Sequence, residues 1–197
     1  MIIWNEISTD VPRHSREPSR AKPFAVWLTG LPASGKTTIA NALKQKLADR
    51  GIRAVLLDSD VMRELLTPKP TYSDEERDAF YKGMTMAAQT VIEDNVPVII
   101  AATGHRRAFR DRTRGAIERF VEVFVDCPMH VCVERDPKGI YKRGHDNDPL
   151  GRIPGMHVRY EEPECPEVVV RGDLDTPVAA TERIMAELEA LRYISTP

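Results

Sequence analysis

The segment from Gly30 to Thr37, read as GLPASGKT, spaces two glycines, a lysine and a hydroxyl as G-x-x-x-x-G-K-[ST]. Gly30 and Gly35 let the backbone turn so that its N–H groups point inward, and a helix beginning at Lys36 adds partial positive charge at the same place. With Ala33, Ser34 and Thr38, the segment forms a cradle for the phosphates of ATP. Lys36 reaches the β- and γ-phosphates, and the Thr37 hydroxyl suits a Mg²⁺ that bridges them. A merely structural glycine turn would leave the lysine unexplained.

A second group, LLDSDVMR, sets Asp58 and Asp60 two apart, with Arg63 following. Alternation along a strand end aims both carboxylates at one crevice outside the carboxyl edge of a sheet. One acid then serves magnesium and the other an acceptor hydroxyl; the spacing leaves open which does which. The plainer alternative is an N-cap aspartate opening a short helix. Arg135 and Lys138 begin a charged, irregular stretch and are cations that a moving lid would bring to the γ-phosphate as charge spreads. His105 sits just past a strand end and is a candidate substrate contact. In the run HRRAFRDRTR, helical spacing puts Arg106, Arg110 and Arg114 on one face. The run reads as a phosphate-gripping first turn followed by a solvated face, because an RNA-binding stripe would interleave aromatics.

Positioning these groups requires a sheet. Runs rich in β-formers occur at 24–28, 53–57, 96–102, 121–125 and 168–170, mostly apolar on consecutive positions. Continuous apolarity means burial on both faces, the mark of parallel strands covered by helices. The stretches 36–50, 75–95, 106–119 and 178–192 supply the helices. The expected fold is therefore α/β, a doubly wound, mainly parallel five-stranded sheet of P-loop kinase type. Residues 1–23 read as an N-terminal arm and 24–197 as a single domain. The Gly-, Pro- and charge-rich stretch at about 136–166 reads as a lid or acceptor loop, too long for an ordinary connection.

Lysine and arginine number 28 against 30 acids, a net charge of -2, which argues against a protein that coats nucleic acid through bulk charge. The three cysteines form no CxxC pair, so a reduced cytoplasmic setting with core or inert thiols is expected. The longest apolar run, near Val96 to Ala102, is far shorter than a bilayer requires, and no membrane partner is expected. The histidines other than His105 lack metal-ligand spacing.

The quoted segments resemble the adenylylsulfate (APS) kinase family. In that family a phosphate loop after a Val-Trp strand is followed by a strand ending in LDGD and then an arginine, as in VWLTGLPASGKTTIA and LDSDVMR here. The segment DCPMHVCVERDPKGIYKR, Asp126 to Arg143, is similar to the family's Asp-x-Pro turn leading into Cys, Arg-Asp and Lys-Gly-x-Tyr. YEEPECPEVVV and IIWNE resemble its C-terminal strand approach and its N-terminal arm. The resemblance implies Asp60 as base or positioner of the acceptor hydroxyl and Asp58 in the magnesium shell. It implies Arg63, Arg77 and Lys138 as the grip on the sulfate-phosphate anhydride, with Arg135 on the ATP side. It further implies Tyr72 stacked on the acceptor's adenine, with Phe80, Ala102, Thr103, Arg106 and Ile153 around the acceptor.

The chain departs from the family pattern on the acceptor side. Ser59 replaces the glycine of LDGD, Glu76 an aspartate, Phe80 an asparagine, and Lys82 and Gly83 two arginines. Thr103 to Arg106 replaces Ser-Pro-Tyr-Arg, and Ile153 to His157 replaces Phe-Thr-Gly-Ile-Asp. The second aromatic of an adenine sandwich is thus missing at Ile153, and Ile153→Phe is expected to lower the Michaelis constant for APS alone. The implied reaction moves the γ-phosphoryl of ATP to the ribose 3′-hydroxyl of APS, giving PAPS, and the resemblance also implies a homodimer formed through the N-terminal arm. Two other readings stay open: a kinase of this fold acting on another nucleotidyl conjugate or metabolite hydroxyl, and a non-catalytic nucleotide-binding regulator. The latter would need neither both aspartates nor a basic lid.

Overall fold

The computed structural model describes residues 23–145 and 152–196, so the arm expected at 1–23 lies outside the described residues except for Pro23. Five strands, β1 Ala25–Thr29, β2 Val55–Asp58, β3 Val98–Ala101, β4 Phe120–Asp126 and β5 Val168–Arg171, make one sheet in the order β2-β3-β1-β4-β5. All four strand pairings are parallel. The helices are α1 Lys36–Asp49, α2 Ser59–Leu66, α3 Asp74–Glu93, α4 Arg107–Ala116, α5 Met129–Arg135, α6 Ile140–His145 and α7 Pro177–Ala190. With β1 in the centre, the chain leaves it toward one edge, returns through β3 and crosses to β4 on the other side. The carboxyl end of β1 is therefore the switch point where such sheets bind ligands.

All five residues of β1 are buried, and successive side chains serve opposite cores. Phe24, Val26 and Leu28 pack with Ile39, Leu43 and Leu47 of α1 and Ile184 and Leu188 of α7. Ala25 and Trp27 face the other way, with Phe80 and Met84 of α3, Ile100 of β3 and Phe109 of α4. Fully burying one such side chain contributes roughly 1.5–3 kcal/mol. Both faces being covered explains the unbroken apolar runs.

Start signals set the helix boundaries. The Ser73 side chain accepts a bond from the Glu76 N–H at 3.2 Å, and that of Thr176 accepts from Ala179 N–H at 3.1 Å with Pro177 in the first turn. Three helices escape a reading by periodicity alone because they are short: α2, α5 and α6. Of these, α6 falls within the stretch expected to be irregular, and α2 begins directly from the end of β2 with Asp58 as its N-cap.

One expectation is overturned on α4. Its arginine face is not fully solvated, because its centre is buried: Arg110 is 1% exposed and its Nε donates to Glu122 Oε1 at 2.5 Å. Arg114 donates to both Glu122 and Glu167. Glu122 stands opposite Trp27 in the sheet register, on the face that α4 covers, so Arg110 and in part Arg114 turn inward to meet a buried carboxylate, while Arg106 stays at the surface with Asp74.

Candidate active site

The phosphate loop leaves β1 at Gly30, whose φ of 150° and tight surroundings suit only glycine: an added Cβ would lie 2.5 Å from the Val125 carbonyl oxygen. Gly35, at φ 105°, turns the chain into α1. Lys36 folds back over the loop and donates to the carbonyls of Gly30 at 3.1 Å and Leu31 at 2.7 Å. Burial pushes its ammonium down to about 8, against the opposing pull of the Asp60 and Asp58 carboxylates.

Both aspartates reach the same place by different routes. Asp58, at the end of β2 and 8% exposed, accepts from the Thr37 hydroxyl at 2.7 Å and from the Asp60 N–H at 2.9 Å. It is thus at once a helix cap and a partner of Thr37. Asp60, in the first turn of α2, is half exposed and paired with Lys138, which comes from the link between α5 and α6.

A cleft of about 1290 Å³ spans this end of the sheet. It is lined by Ala33 to Thr38 on one side, by Asp60, Arg63, Tyr72, Arg77 and Thr103 on the other, and by Arg135, Lys138 and Ile153 from the segments that cover it. Arg135 donates to the Gly172 carbonyl at 2.8 Å, and Gly172, Asp175 and Pro177 close that end of the cleft. These three were not legible as site residues, since nothing in their types marks them. Tyr141, within the Lys-Gly-x-Tyr segment, donates its hydroxyl to the Pro32 carbonyl at 2.9 Å and so ties α6 to the phosphate loop.

The wall formed by α2 and α3 depends on Glu76. Its carboxylate accepts from Thr71 N–H and hydroxyl, both at 2.6 Å, and from Tyr72 N–H at 3.3 Å, holding Tyr72 at a positive φ of 54°. Arg77, 5% exposed, donates to the carbonyls of Tyr72 at 3.1 Å and Arg152 at 2.5 Å. The guanidinium groups of Arg63 and Arg77 lie over the Tyr72 ring, 5.1 and 5.3 Å from its centroid.

Several expected contacts fall elsewhere. Phe80 is buried beneath Arg63 and does not line the cleft. Ala102 is fully buried, its carbonyl accepting from the Trp27 indole at 3.0 Å. Arg106 pairs with Asp74 at 2.7 Å outside the cleft lining. His105 is 3% exposed and packs edge-on against Phe109, so it is a core residue; burial, helped by Arg77 and Arg106, pushes its imidazole down to about 4. Ile153 lines the cleft, yet its side chain is 4% exposed in a small core with Cys127, Cys132 and Tyr141 that also touches Leu31. A larger ring there overpacks this core at a cost of roughly 1–3 kcal/mol. The purely acceptor-side effect expected of Ile153→Phe therefore does not follow.

The comparisons agree with the geometry. The family model for adenylylsulphate kinase matches residues 22–171. The adenylyl-sulfate kinase of Rippkaea orientalis is 40% identical over 172 residues, 87% of this chain and 94% of that one. The APS kinase of Mycobacterium tuberculosis, solved in complex with AMPPNP and APS, superposes with a TM-score of 0.77 at 26% identity, covering 86% of this chain and 99% of that one. A gluconokinase from Sinorhizobium meliloti, at 17% identity and TM-score 0.58 over 87% of this chain and 95% of that one, shares the fold alone. By the family match and by the length and identity of its relatives, this chain belongs to the adenylylsulphate kinase family.

Proposed function

We propose that the protein transfers the γ-phosphoryl group of ATP to the ribose 3′-hydroxyl of APS, giving PAPS and ADP. The observation that supports this most is one cleft holding a phosphate loop at one end and two arginines at the other, with Asp60 between them. Lys36 and the loop N–H groups hold the β- and γ-phosphates, and Arg135 borders the nucleotide end. Thr37 and Asp58, already 2.7 Å apart and both hard oxygen donors, would hold Mg²⁺. When bound, the ion would offset charge on the transferring group.

Asp60 accepts the proton of the attacking hydroxyl or aligns it, and Lys138 leaves the carboxylate for the phosphate as the nucleotide arrives. Arg63 and Arg77 hold the phosphosulfate, so that transfer is carried by alignment and charge stabilisation. The same reading includes a cytoplasmic setting and a homodimer formed through the arm, outside the described residues, which sedimentation of the protein with and without residues 1–22 would check. The deciding assay mixes purified protein, MgATP and APS and follows PAPS by chromatography. Formation of PAPS at the rate of ATP consumption is expected, and much faster phosphorylation of another hydroxyl overturns the assignment.

A further inference from the structure

The face of α3 that meets α2 carries Glu76 and Phe80, four residues apart, where family members have aspartate and asparagine. Phe80 is 4% exposed, and the Arg63 guanidinium lies 3.9 Å from its ring centroid. The Tyr72 ring approaches the same guanidinium at 5.1 Å. Glu76 comes within 3.5 Å of Arg63 Nη1, yet this buried nitrogen has no hydrogen-bond partner among the described residues. Glu76 thus offsets the charge without accepting a hydrogen bond, and a buried charged donor left unbonded is costly unless a ligand supplies the acceptor.

Resting on the reading above, we propose that Phe80 is a positioning residue that clamps Arg63 so that its N–H edge, not its flat face, meets the acceptor, which makes an anionic oxygen of the acceptor the feature that Arg63 reads. An aromatic platform fixes the plane of a guanidinium and leaves its edge donors free for a charged oxygen. The asparagine found in the family offers no such platform. Glu76 assists by holding the Tyr72 turn and by setting a negative charge beside the guanidinium.

The test is a double-mutant cycle in acceptor kinetics. Phe80→Leu keeps an apolar side chain in the core but removes the ring; it should raise the KM for APS by roughly 2- to 30-fold, the scale of a partly desolvated cation–π contact. The KM for ATP should move less than about twofold, since Phe80 packs in the core between the sheet and α3 and does not line the cleft, and Phe80→Tyr should recover most of the loss. In an Arg63→Ala background, Phe80→Leu should add almost nothing. An equal effect of Phe80→Leu with and without Arg63, or no effect in either, overturns the proposal. The clamp also has a readout independent of the acceptor: the Arg63 guanidinium ¹⁵N–¹H signals, assigned by their loss in Arg63→Ala. Slow rotation in the wild type that becomes fast in Phe80→Leu supports the clamp even if APS proves not to be the acceptor. Fast rotation in the wild type removes it even if APS is phosphorylated.

Discussion

In the proposed reaction, phosphate binding turns on Lys36. In the free protein it is buried against two loop carbonyls, which phosphate oxygens would replace with stronger, charge-assisted bonds. Lys36→Ala should abolish transfer almost completely, by roughly 10²-fold or more, as measured by PAPS formation. Activity within threefold of wild type would be incompatible with the site described. The wild-type lysine also makes nucleotide binding pH-dependent. Phosphates favour the ammonium form, so affinity is flat while the free protein is already protonated and falls as pH rises through about 8. Asp60 carries a separate expectation. Asp60→Asn, nearly isosteric, should lower turnover by about 10²-fold with little change in ATP affinity. A collapse of ATP affinity measured by calorimetry would instead exchange its role with that of Asp58.

Among the elements, the strands and the four long helices were legible because burial on two faces and the helical period leave long patterns. The phosphate loop was legible because each of its residue types answers a backbone or charge requirement. The short helices were not, since one or two turns carry too few residues for a period to show. Arg110 and His105 were misplaced for related reasons: helical spacing says which residues share a face and a strand end says which residues lie near the crevice, but neither says what a side chain meets. Likewise, Phe80 and Ile153 were assigned to the acceptor by their positions, whereas packing puts one under Arg63 and the other in the small core beneath the covering segments. That small core is itself testable at Gly155, which has φ 88° and whose added Cβ would lie 2.6 Å from Leu31 Cδ2. Gly155→Ala strains the backbone and pushes on the phosphate loop at once. It should weaken ATP and acceptor together by several-fold, whereas a loop unconnected to the phosphate cradle would shift acceptor kinetics alone.

At the scale of the whole molecule, buried ionisable groups pin the described structure behind its active cleft. His105 makes stability depend on acid: its folded-state value lies near 4, below the ordinary 6.5, because burial, Arg77 and Arg106 outweigh Asp74 and Glu161. The unfolded chain binds the proton more readily, so this contribution is complete above about pH 6.5 and is lost as pH falls toward 4, at most roughly 3 kcal/mol. Denaturant midpoints at pH 7 and 4.5 should therefore draw closer in His105→Gln. Arg110 has the wider reach. It binds Glu122 of β4 and donates to the carbonyls of Gly104, after β3, and of Glu161, at the end of the covering stretch. Arg110→Met leaves Glu122 charged and buried with only Arg114 at 3.3 Å, and should cost roughly 3–5 kcal/mol, a fall in Tm of roughly 10 °C. Adding Glu122→Gln should recover part of that loss, because the stranded charge is its largest component, while the two carbonyls remain without their donor. If the double variant is no more stable than Arg110→Met, the guanidinium stabilises the protein mainly by clasping the two loops, and the KM for the acceptor should then rise in both variants alike.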